Sequence, residues 1–188
     1  MHKLMLKLKK MNKRAWLCLF FAILLTLSGL FFWGADQYNN QGVSLEIEDL
    51  STNIRRHYQN KPDFWGLSTQ TVLDKKICPN KMLQNGKLVG FFDNPVLVGN
   101  GPNAMVLMPG ARNFDIIYKD LDKKQCVAVA TSKLKQDIWL GVVGVSIVNK
   151  DKQQRFDWDN KEYSLPIKTT QAKKSCGSGS MVIWHFEQ

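Results

Sequence analysis

Residues Ala15 to Gly34 (AWLCLFFAILLTLSGLFFWG) form one uncharged apolar run between a basic N-terminus and about 150 mostly polar residues. At ~1.5 Å of rise per residue, twenty helical residues reach about 30 Å, the thickness of a bilayer's hydrocarbon core. The run therefore predicts a transmembrane helix over 15–34, anchored through Trp16, Phe20, Leu24, Leu27 and Phe31.

Charge sets the expected orientation, because Lys and Arg are retained on the cytoplasmic side of a membrane. Lys3, Lys7, Lys9, Lys10, Lys13 and Arg14 precede the run, with Lys9, Lys10, Lys13 and Arg14 closest to it as topogenic charges. The first charges after it are Asp36, Glu46, Glu48 and Asp49. Residues 1–14 are expected to form a cytoplasmic tail and residues 44–188 an outer domain. A cleavable signal peptide has similar flanks, but its apolar core runs about 7 to 15 residues and ends in a small-x-small site, which Trp33-Gly34-Ala35 matches poorly. Met11 offers a second start that trims the tail without changing orientation.

Of 26 basic residues six lie in the tail, leaving 20 against 16 acids. That balance gives no ground for a nucleic-acid partner, and topogenic charge with attraction to the lipid bilayer accounts for the tail. Cys18 lies in the run, while Cys78, Cys126 and Cys176 lie beyond it, so an oxidising compartment lets two of the three pair. No Cys-x-x-Cys or Cys/His cluster points to zinc or thiol redox chemistry.

Asp36 to Gly42 (DQYNNQG) reads as a polar, turn-prone juncture, placed at 35–43. Beyond it Ile47, Leu50, Ile54 and Tyr58 recur three or four apart with Glu48, Asp49, Asn53 and Arg55 between them, predicting an amphipathic helix with Ser44 as cap and Lys61-Pro62 as stop. Ser68 is placed to cap a second short helix through Val72, Leu73 and Ile77. From Lys87 the texture turns β-like, with strands expected at Leu88 to Phe92, Val96 to Val98, Ala104 to Met108 and Asn113 to Tyr118, the last wet on one side. Asp120 is expected to cap a helix through Leu121, Val127 and Leu134. Strands return at Val142 to Val148, Phe156 to Trp158 and Met181 to Phe186, with Gly177 to Ser180 as a turn. Helices first and then an antiparallel sheet with an inserted helix is an α+β arrangement.

Chemistry-bearing residues are sparse. His57 and His185 sit in no motif, and Gly99-Asn100-Gly101-Pro102 lacks the free N–H groups of a phosphate cradle and reads as a turn. Asp157, Asp159 and Glu162 lack the ligand series and glycine of a calcium loop and read as a solvated turn. No cofactor, metal or small-molecule substrate is expected, and no enzymatic activity.

The order of segments resembles the type IVb pilins, especially the major pilins of conjugative thin pili. Ser51 to Leu67 (STNIRRHYQNKPDFWGL) is similar to that family's Asn-Ile-Arg helix and Tyr-Gly-Leu turn, and Pro79-Asn80-Lys81-Met82 to its Pro-x-x-Met. Phe114 to Tyr118 followed by Cys126 and Ala128 to Thr131 resembles its Phe-x-Ile-x-Tyr strand and cysteine-bearing helix, and Cys176 to Phe186 its closing cysteine and final strand. The likeness covers about residues 41 to 186. It implies a Cys126–Cys176 disulfide and leaves Cys78 free or competing for a partner. The chain departs from the pattern at its N-terminus: no Gly precedes the run and no acid follows until Asp36, so the prepilin peptidase motif is missing.

The resemblance implies a minor or divergent pilin-like subunit in the bacterial inner membrane. Its C-terminal head would be periplasmic, assembling with other subunits as a homo- or hetero-oligomer in a pilus or pilus-like secretion or conjugation machine. Gly99 to Ala104 and Lys150 to Asn160 are the expected contact loops. The alternative is a single-pass inner-membrane scaffold with a periplasmic protein-binding domain of a type IV secretion system.

Overall fold

The computed structural model describes residues 13–188 except Leu140 and Asp151, and divides the chain into a unit of residues 1–38 and one of residues 39–188. Lys9 and Lys10 lie outside the described residues, as do the side chains of Lys13, Arg14, Trp16, Leu27 and Phe31; Phe20 and Leu24 are exposed. Among the described residues no helix is long and apolar enough to cross a membrane.

Helix α1 spans Lys13–Tyr58, so the expected turn at 36–42 is helical and Ser44 is an interior helical residue, not a cap. No proline interrupts this stretch, and a lone glycine costs a helix only about 1 kcal/mol, too little to break it. Within the second unit Val43, Ile47, Leu50, Ile54 and Tyr58 form a fully buried stripe. The polar positions beside them are not all wet, however: Glu46 and Glu48 are buried too.

Helix α2, Thr69–Asp74, starts where Ser68 accepts the Thr71 N–H at 3.1 Å on its side-chain oxygen. Ile77 and Cys78 are buried just beyond its end. The expected strand at 88–92 is replaced by a two-residue hairpin, β1 (Leu83–Gln84) and β2 (Lys87–Leu88), turned by Asn85 and Gly86, both at positive φ.

The main sheet has the order β3-β4-β7-β5-β6, all neighbours antiparallel, from β3 (Val96–Gly99), β4 (Asn113–Leu121), β5 (Val142–Asn149), β6 (Lys152–Phe156) and β7 (Ser180–Glu187). The last strand thus fills the centre. Phe114, Ile116 and Tyr118 of β4, Val182, Trp184 and Phe186 of β7, and Val145 and Ile147 of β5 meet the α1 stripe in one core. On the other face of β4, Asp115 and Ile117 are also buried, Asp115 against the Gly101 turn and the His185 ring, and the expected one-sided wetting fails.

No strand forms at 104–108. There Leu107 trades backbone hydrogen bonds with Gly66 and Leu67 instead, leaving only Met105 bridged to Asn100. Asp120 is not a cap; at φ 56° it sits in a register shift of β4 against β7, and Asp122 caps α3 (Lys123–Ala130) with Gln125 closing a capping box. Helix α4 spans Gln136–Trp139, β6 ends at Phe156 rather than running on from there to Trp158, and α5 (Thr169–Ser175) carries no amphipathic pattern that predicts it, since Ala172 is its one buried side chain.

Candidate functional site

The stripe of α1 is gripped on both sides by buried acids. Two positions apart on a helix lie about 200° apart around the axis, so Glu46 and Glu48 reach different parts of the head. Glu46 accepts the Phe91 backbone N–H at 2.8 Å. Glu48 accepts the Lys135 backbone N–H at 2.8 Å and faces the same residue's ammonium at 3.5 Å. Burial pushes the Glu46 carboxyl up to about 7, against the opposing pull of the Phe91 N–H and Lys81. The Tyr118 hydroxyl is buried with no hydrogen-bond partner among the described residues, and burial and Glu46 together raise it well above the usual phenol range. Gly42 supplies the third contact: a Cβ there would collide with the Phe91 ring, so the glycine read as a turn residue is a seat for that ring.

Residues distant in sequence meet on the other face of the sheet. The His185 ring faces Asp115 Oδ1 through Nδ1 at 2.6 Å and Ser146 Oγ through Nε2 at 2.8 Å. A carboxylate only accepts, so Nδ1 donates to Asp115. Serine, histidine and aspartate in this order form the relay of an acyl-transfer enzyme, but Ser146 is fully buried and its oxygen is closed to an incoming carbonyl. Asp115 Oδ2 accepts the Gly101 N–H at 2.7 Å, so the relay fastens the 99–104 turn to the central strands. His57 joins no such group. It is largely exposed beside Tyr58, and slight desolvation, with Lys61 and Lys75 nearby, lowers its imidazole.

The 150–160 segment holds edge strand β6 and a turn in which Asp157 pairs with Arg155 at 2.8 Å while Asn160 accepts the Glu162 and Tyr163 N–H groups. Among the described residues no group of three His, Cys, Asp or Glu is placed to hold a metal. Cys126 and Cys176 form a disulfide with Cα atoms 5.8 Å apart, joining α3 to the end of α5, and Cys78 is free and buried.

Among the described residues of the 39–188 unit, the most exposed large apolar side chains, ahead of Leu45, Leu83 and Trp158, are Trp65 (64% exposed), Met105 (63%), Val106 (57%) and Met108 (73%). They lie on two segments tied by the Gly66 N–H to Leu107 carbonyl bond at 3.0 Å and the Leu107 N–H to Leu67 carbonyl bond at 3.1 Å. No motif signalled this gathering, because the two segments are some forty residues apart and meet only through backbone pairing.

Comparison with known proteins gives a family from the sequence and a likeness in fold from solved structures. The Bundlin family model matches residues 34–182. The type IVb pilin of Salmonella typhi is 13% identical with a TM-score of 0.50, covering 79% of this chain and 99% of that one. TcpA, a type IV pilin of Vibrio cholerae El Tor, is 9% identical with a TM-score of 0.49, covering 79% and 98%. No curated protein matches the sequence. With the family model spanning most of its length, the chain belongs to the Bundlin family of type IVb pilins.

Proposed function

We propose that this chain is an inner-membrane-anchored pilin subunit whose head packs against other pilin subunits in a pilus or a pilus-like secretion or conjugation machine. It carries no enzymatic activity, and needs no cofactor or small-molecule substrate. Ala15 to Gly34 is its anchor, holding the subunit in the bilayer and offering an apolar helix surface to neighbouring subunits. Family membership and the α+β head support the subunit role.

The observation that carries the assembly reading is the exposed set Trp65, Met105, Val106 and Met108 on a backbone-tied pair of segments. Large apolar side chains left in solvent on neighbouring segments are the kind of surface that a partner covers. Replacing Trp65→Glu together with Met108→Glu tests it. The variant should stay in carbonate-washed membranes at the wild-type level and disappear from fibres sheared off the cells. Equal entry of variant and wild type into the fibres would contradict the assembly reading, and wild-type protein found wholly in the carbonate wash would contradict the anchor.

A further inference from the structure

The net charge of the 39–188 unit is concentrated on one lobe. Residues 119–135 and 165–180 hold eight lysines against two acids, Asp120 and Asp122, whereas the rest of the unit holds twelve basic and thirteen acidic residues. The Cys126–Cys176 bridge draws these two segments together. Each carries a lysine pair two and three residues ahead of its bridged cysteine, Lys123-Lys124 before Cys126 and Lys173-Lys174 before Cys176. The four side chains therefore attach within about one helical turn of a single covalent crosslink. All four are exposed, and among the described residues none has a carboxylate within ion-pair range. Like charges crowded in this way repel one another, and the field they sum to is relieved when an anionic surface faces them.

The residue types select the kind of surface. Neither segment contains an arginine, so there is no planar fork for bidentate reading, and neither contains an aromatic residue, so there is no platform for stacking bases. Their larger apolar side chains are turned inward, Leu121, Val129, Leu134, Leu165 and Ile167 buried and Val127 half-buried against the core, and offer no wedge for insertion. What remains is a set of mobile point charges suited to many shallow phosphate contacts. We infer that the disulfide-joined α3–α5 lobe docks on a lipid surface bearing anionic phosphate headgroups, held by charge without penetration. This inference goes beyond the pilin reading and does not depend on it.

The test uses the full chain carried in phosphatidylcholine nanodiscs, or free in solution if it does not insert; failure of the anchor reading then shows at loading, apart from the binding result. Binding is measured to bilayers with 30 mol% phosphatidylglycerol and to pure phosphatidylcholine. The expected result is retention on the anionic bilayer alone, reversed by raising salt. The variant K123A/K124A/K173A/K174A, checked for its bridge and far-UV spectrum, should bind on the order of several hundredfold more weakly, since each of the four lysines near such a surface is worth about fivefold. As a folding-neutral check, K75A/K76A, which alters a lysine pair outside the lobe, should bind as wild type. Equal binding to both bilayers, an unchanged quadruple variant, or binding to duplex DNA with none to the anionic bilayer would each overturn the inference.

Discussion

The Glu46 carboxylate accepts the Phe91 backbone N–H at 2.8 Å, tying the long helix to the segment that leads into the sheet through a group almost withdrawn from water. Burial lifts this carboxyl from 4.5 to about 7, so between those values the folded chain holds a proton that the unfolded chain has released. The stabilisation is present in full below about pH 4.5 and is lost as pH rises through about 7, a change of roughly 3 kcal/mol. Glu46→Gln keeps an acceptor for Phe91 and removes the titration. Urea midpoints should match wild type near pH 4.5 and exceed it at pH 8.

Gly42 and Phe91 should behave as a coupled pair. Gly42→Ala places a methyl inside the ring position and should cost roughly 1 to 3 kcal/mol. In a Phe91→Ala background the same change no longer meets the ring and should stabilise by about 1 kcal/mol through helix propensity. A double-mutant cycle from thermal or urea unfolding reads the sign reversal.

Removing the bridge with Cys126→Ala and Cys176→Ala should lower stability by about 4 kcal/mol, the chain-entropy value for a crosslink spanning 50 residues. Unfolding of the double variant against non-reduced wild type checks this. Cys78→Ala, which leaves the bridge intact, should cost less.

Asp115→Ala leaves the His185 ring and the Gly101 N–H without their shared acceptor. A loss of roughly 1 to 3 kcal/mol is expected, together with faster amide exchange at Gly101. Exchange on the β1–β2 hairpin should be unaffected.

Periodicity explains which of these features could be read before the structure. Ile47, Leu50, Ile54 and Tyr58 repeat at helical spacing, and β4, β5 and β7 carry dense β-branched and aromatic residues, so the elements that build the core announced themselves. Glu46 and Glu48 did not, because acids within an amphipathic helix are ordinarily its wet face, and their burial depends on backbone donors from residues 91 and 135. Gly42 looked like a turn because its reason for being glycine is a ring some fifty residues away. The Asp115, His185 and Ser146 relay exists only because the last strand enters between β4 and β5, an insertion that no local pattern encodes. Asp120 and Asp122 show the same limit at short range: either could cap a helix, and the register shift against β7 decides which does.

The central claim is that this chain is a pilin subunit that leaves the membrane for a fibre. Immunogold labelling of sheared fibres with an antibody raised against the 39–188 head tests it most directly. Label on the fibres, along their length or at an end, is the result the account predicts. Label confined to membranes, with bare fibres from the same cells, would contradict it.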